Sequence, residues 1–172
     1  SGSGFSGSVA TPSTTPVITI HTTVSGVIKG DGASISAATA GTDYTSPTSV
    51  ETMTNKTVQG LAEVKGSPVI NAGTLDIDCS AGNAFATTLG NSITSFTVTN
   101  IPAFGKFYGF ILELTMDGTA RTITWSFQGV NVNWANAVPP TLTSTLGKKD
   151  SFVFYTYDAG VSWTGAIVAQ NV

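Results

Sequence analysis

Aromatic side chains fall almost entirely in one part of this chain, and that asymmetry constrains its folding more than any motif. Of the 16 aromatic residues, only Phe5 and Tyr44 precede position 69; the other 14, among them Trp125, Trp134 and Trp163, follow it. Residues 1–68 are mostly Ser, Thr, Gly and Ala. Burying one large apolar side chain stabilises a fold by roughly 1.5–3 kcal/mol, so 69–172 can hold a core of its own. Residues 1–68 have little comparable to set against the entropy of ordering them. The chain reads as an extended, fibrous arm or shaft segment over 1–68 and a head domain over 69–172.

Within the head, Tyr108, Phe110, Leu112, Leu114 and Met116 recur at every second position, the signature of one face of a strand. Strands are expected near 74–80, 84–89, 93–100, 106–117, 120–126, 130–134, 150–158 and 162–170. Asp117-Gly118 reads as a hairpin turn, with Arg121-Thr122-Ile123-Thr124-Trp125 running back from it. Phe152 to Tyr157 leads through Asp158-Ala159-Gly160 to a returning strand from Trp163 to Ala169. Short strands joined by turns, without helical periods, predict an all-β fold: an antiparallel, jelly-roll-like β-sandwich.

The arm carries one strand candidate, Val-Ile-Thr-Ile-His-Thr-Thr-Val at 17–24. Ile18, Ile20 and Val24, followed by Val27 and Ile28, present apolar surface that one copy has no means to cover. A lone strand is unstable in water, so these five residues are the expected self-association surface. Gly30-Asp31-Gly32 reads as a turn. Ser46-Pro47 reads as the start of a short, weak helix through Glu51 and Met53. Asn55-Lys56-Thr57 matches a glycosylation sequon. The chain opens Ser-Gly-Ser-Gly without an initiator Met and reads as a piece of a longer protein.

Charge is sparse, 10% of residues, with a net of −3 where typical domains carry about 25% charged residues. Lys and Arg form no cluster, and nucleic-acid binding through phosphates needs one. No apolar run is long enough to span a membrane. Such a polar but weakly ionic surface lets identical copies lie close together.

The chemistry-bearing residues are few and scattered. His21 is the sole histidine and sits in the arm, so neither a Ser–His–Asp triad nor a zinc site assembles with the head. Cys79 is the only cysteine and follows Leu75 and Ile77 in alternation, as a small core hydrophobe does. Asp76 and Asp78 share a strand face and read as solvated. Glu113 is the only glutamate in the head, opposite the Phe110 face. No enzyme, no metal site and no cofactor is expected.

Two stretches of the arm carry a family resemblance. Gly26-Val27-Ile28-Lys29-Gly30-Asp31-Gly32 through Ala40-Gly41-Thr42-Asp43-Tyr44 is similar to a segment common in tailed-bacteriophage tail-fibre and minor virion structural proteins. So is Glu51-Thr52-Met53-Thr54-Asn55-Lys56-Thr57. The head resembles the terminal β domain of those proteins at Phe110 to Asp117, Arg121 to Trp125, Pro140 to Thr143, Phe154 to Asp158 with Trp163, and Ala169-Gln170-Asn171. The resemblance implies a homotrimeric fibre on the exterior of the virion. Its arm would contact other virion proteins, and its head would adhere to a bacterial surface glycan. The alternative is a capsid-decorating or head-fibre protein clamped by its arm. The family pattern carries no catalytic residues. The loop 131–140 is the expected receptor contact, through Asn131, Asn133, Trp134 and Asn136. The alternative for Trp134 is a core position, where the family usually has a fold-determining tryptophan.

Overall fold

The computed structural model describes residues 5–9, 18–22, 25–32, 35–40, 42–44, 57, 59–60 and 62–172. They belong to two compact units, Ser1–Gln59 and Gly60–Val172. Val24, the expected helix at 46–53, and Asn55 and Lys56 of the sequon lie outside the described residues.

Among the described residues, the first unit shows two antiparallel strand pairs. Strands β1 (Phe5–Val9) and β2 (Ile18–Thr22) pair antiparallel, with Gly7 opposite Ile20. The backbone of the Ile18–Ile20 segment thus finds a partner within its own chain. Strands β3 (Ile28–Gly30) and β4 (Ile35–Ala37) form a second hairpin around the expected turn, where Gly32 takes a left-handed φ of 90°. A small knot of bonds closes it. Asp43 accepts from the Thr39 amide at 2.8 Å and pairs with Lys29 Nζ at 2.8 Å. The Lys29 contact, then the Thr39 amide, hold the Asp43 carboxyl below its ordinary pKa. Val27 and Ile28 remain half-exposed.

The second unit holds nine strands: β5 (Ile70–Asn71), β6 (Thr74–Asp78), β7 (Ala84–Leu89), β8 (Ser95–Thr99), β9 (Tyr108–Met116), β10 (Ser126–Phe127), β11 (Val130–Asn133), β12 (Lys149–Thr156) and β13 (Trp163–Ala169). They form one sheet in the order β5-β6-β8-β10-β11-β13-β12-β9-β7. The sheet curls into a nearly closed, barrel-like sandwich. Rings from strands far apart in that order meet inside: Phe110 of β9 lies 6.0 Å from Phe127 of β10. The two edges approach each other across a cleft lined by residues 67–70, 86–88 and 90–91.

The all-β class holds, but strand direction is mixed. Four of the eight pairings are parallel: β6 with β8, β8 with β10, β11 with β13, and β7 with β9. The expected hairpin at Asp117-Gly118 is not formed. Strand β9 pairs instead with β12, Thr115 facing Lys149 and Tyr108 facing Thr156. Residues 120–125 are not a strand; Ile123 makes one bridge to Ile93, and pairing resumes only at Ser126. The expected return from Asp158-Ala159-Gly160 is present as the β12–β13 hairpin. Asp158 ties that turn by accepting from the Ser162 hydroxyl and amide and from the Thr156 hydroxyl. These bonds hold its carboxyl down to about 2.

The second unit also reaches back before residue 69. Gly66 exchanges two backbone bonds with the edge of β7, at 2.8 and 2.9 Å, and Glu63 accepts from the Asn83 amide. Its interior is aromatic. Phe110 touches Phe85, Phe127, Phe154 and Trp163. One carboxylate is buried with the core: Asp150, fully covered, accepts from the Thr143 and Asn171 amides at 2.8 and 3.0 Å. It clasps the loop after Pro140 and the C-terminal segment onto β12.

Candidate functional site

The loop after β11 was expected to offer Asn131, Asn133, Trp134 and Asn136. Alternation along β11 decides which of them face outward. Val132 is buried opposite Trp163, so Asn131 and Asn133 face solvent. Trp134 continues the inward set and is a core residue, 9% exposed. Its ring meets Trp125 at 5.1 Å, Phe154 at 5.7 Å and Phe152 at 6.1 Å. Gly165 makes room for it; a Cβ there would lie 3.0 Å from the far edge of the indole. Trp134 thus takes the core position that the sequence left open as its alternative. Its indole N–H is buried without a hydrogen-bond partner.

A groove of about 540 Å³ opens beside the loop, lined by Trp125, Asn131, Asn133, the edge of Trp134, Ala137 and Pro139. Asn136 is exposed in the left-handed region (φ 55°, ψ 20°) and does not line it. Two of the four expected residues thus share a groove as exposed amides, one forms part of its base, and one stands apart.

The residues weighed for chemistry occupy structural positions. Cys79 is buried just past β6 in a 3-10 turn, and burial pushes its thiol pKa up. Asp78 is engaged by Asn100 and by the Ser80 amide and hydroxyl, which lower its pKa. Glu113 pairs with Lys149 at 2.7 Å on the outer face. Among the described residues no group of three or more His, Cys, Asp or Glu is placed to hold a metal ion.

Sequence reasoning missed a second surface feature. Of the 14 aromatics in the head, ten are buried. Of the remaining four, Phe104, Phe107, Tyr155 and Tyr157, the last three gather in one place. Phe107 lies 5.3 Å from Tyr157 and 6.1 Å from Tyr155, and the two tyrosines are 5.8 Å apart. The Gly105 amide bonds to the Tyr157 carbonyl, which holds the loop before β9 beside the end of β12. Gly109 lets the Phe107 ring lie against the sheet, since a Cβ there would come within 3.1 Å of Phe107 Cζ. The signal was present in the alternation: if Phe152 and Phe154 point inward, Tyr155 and Tyr157 point outward. The register adds a connection. Across β11, β13, β12 and β9 the neighbours run Asn133, Thr164, Tyr155, Gly109. The expected Asn133 and the unexpected aromatics therefore share one outer face.

No protein-family model matches the chain, no curated protein matches it, and no solved structure matches it.

Proposed function

We propose that this chain is a bacteriophage fibre protein, homotrimeric and displayed on the exterior of the virion, whose sandwich adheres to a glycan of the bacterial surface without cleaving it. The observation that carries the reading is the outer face of the sandwich. It combines exposed amides and exposed aromatic rings on a sandwich whose described buried core residues run from Leu75 to Trp163. Amides and ring faces are the groups that hold sugars, and a trimer multiplies weak contacts through effective concentration. The half-exposed Val27 and Ile28 support self-association through the arm, which also contacts other virion proteins in this reading.

Binding of the fluorescently labelled full chain to host cells tests the adhesion. Saturable binding that periodate treatment of the cells abolishes is expected; equal binding to treated cells overturns the glycan receptor. New reducing ends released from capsule or lipopolysaccharide, and lost in Glu113→Gln, would overturn binding without catalysis. Sedimentation at micromolar concentration is expected to show a trimer that Val27→Ser with Ile28→Ser weakens, and a full-length monomer would reject self-association. An image of the particle placing the chain on the capsid would favour a head-fibre or decorating role instead.

A further inference from the structure

We infer that Phe107, Tyr155 and Tyr157 form the floor and wall of a binding site for neutral pyranose sugars, with Thr164 and Asn133 as its polar rim. The inference rests on the adhesion reading in taking a glycan as the ligand, and it names where on the sandwich and what kind of sugar.

The ring geometry suits a sugar. Phe107 and Tyr155 are tilted by only 33°, whereas Tyr157 stands at 76° to Tyr155. Two rings make a shallow floor and the third rises beside it. The C–H face of a pyranose packs on such a floor, because the ring face carries negative charge density that attracts the polarised C–H groups. Sugar hydroxyls then need hydrogen-bond partners at the edge. Among the described residues, nothing takes up the tyrosine hydroxyls of Tyr155 and Tyr157, the Thr164 hydroxyl or the Asn133 amide. The amides of Asn83, Asn100, Gln128 and Gln170, by contrast, are all bonded within the chain. Neighbouring strands lie about 4.8 Å apart, so Asn133, two strands from Tyr155, is placed for a second or third sugar.

Size separates a sugar from a protein partner. Phe104, Phe107 and Tyr157 are 79%, 62% and 62% exposed, and Ile111, one position along the same face, is 45% exposed. With aromatic side chains of roughly 150–250 Å² each, the exposed apolar area is on the order of 500 Å². A stable protein interface takes about 800 Å² from each partner. Charge favours a neutral ligand. The acid and base on the strands of this face, Glu113 and Lys149, neutralise each other at 2.7 Å, and the two charges that flank the rings in sequence, Lys106 before Phe107 and Asp158 after Tyr157, are of opposite sign.

The test is calorimetric titration of the full chain with chito-, cello- and malto-oligosaccharides of three to six sugars. At least one series is expected to bind. Phe107→Ala and Tyr157→Ala should each weaken it about three- to tenfold, the range of one aromatic contact. Phe107→Tyr should retain it. Both alanine variants remove exposed rings, so their thermal midpoints should match the parent, which separates lost binding from lost folding. No binding of any series, or binding indifferent to both alanine variants, overturns the platform; host-cell adhesion persisting through those variants would leave the adhesion reading standing on another surface. Sugar binding that depends on Phe107 without host-cell adhesion keeps the platform and removes the adhesion reading. A drop in oligomeric state on Phe107→Ala would make this face an interface between copies and overturn the sugar site.

Discussion

The two units of this chain solve the same problem, hiding a strand's surface, by opposite means. In Gly60–Val172, alternation sends ten aromatic rings into one interior and leaves Phe110 and Phe154 without exposure beyond 1%. Between residues 25 and 59 of the first unit, no side chain whose burial the structure describes is buried, and hydrogen-bonded strand pairs and the Lys29–Asp43 pair supply the order there. The difference teaches that local pairing is enough to shape a segment, whereas cooperative stability needs apolar area removed from water. Perturbations of the two units should differ accordingly.

The largest contrasts are expected at Trp134 and Asp150. Trp134→Ala removes a ring packed among Trp125, Phe152 and Phe154 and should cost about 3–5 kcal/mol. It is measured as a fall in the denaturation midpoint of the full chain. Tyr44→Ala, in the hairpin unit, should leave that transition where it was. An equal loss from both would mean that the two units share one core.

Next comes the buried clasp. Asp150→Ala leaves the Thr143 and Asn171 amides without their acceptor. Hydrogen bonds to a charged group are worth about 1.5–3 kcal/mol each, so a loss of about 3–6 kcal/mol is expected in urea unfolding. Asp43→Ala, its counterpart in the hairpin unit, should release the Lys29 contact and leave the main transition unmoved.

The boundary between the units gives a smaller effect. Residues 60–172 alone should unfold cooperatively. Residues 69–172 alone should be less stable by about 1–3 kcal/mol, because the two backbone bonds of Gly66 to β7 are lost and each such bond contributes about 0.5–1.5 kcal/mol. Equal stability would place the edge of the cooperative unit at residue 69.

The smallest effect is acid sensitivity. Asp158, Asp78 and Asp117 are held below the ordinary 3.8, by Ser162 first, by Asn100 first and by Arg121 first respectively. A depressed carboxylate contributes stability that is present above the unfolded pKa and lost as pH falls through the folded one. The thermal midpoint of the sandwich should therefore hold near neutral pH and decline from about pH 4 towards pH 2. Asp158→Asn should flatten part of that decline. A fall confined to pH above 5 would contradict it.

Much of this was legible in the linear chain, because alternation is a local property. The period of two in Tyr108 to Met116 placed each of those side chains correctly. Tyr155 and Tyr157 could be read as outward by the same rule, and Trp134 as inward once Val132 was placed. The all-β class and the β12–β13 hairpin followed from short-range signals. What failed were statements about partners. Arg121 to Trp125 alternates like a strand, yet only Ile123 finds a bridge, because β12 already occupies the side of β9 where a hairpin would have paired. Nothing in the run Lys148-Lys149-Asp150 marks one of its charges for burial, but two amides distant in sequence converge on Asp150 and offset the cost of covering it. Phe107 meets Tyr155 and Tyr157 only because β9 and β12 run antiparallel in one register and Gly109 leaves the space above it empty. The sequence by itself determined which side chains turn inward and which turn outward. The tertiary structure alone decided which outward residues become neighbours, because strand register is set by contacts between segments far apart in the chain.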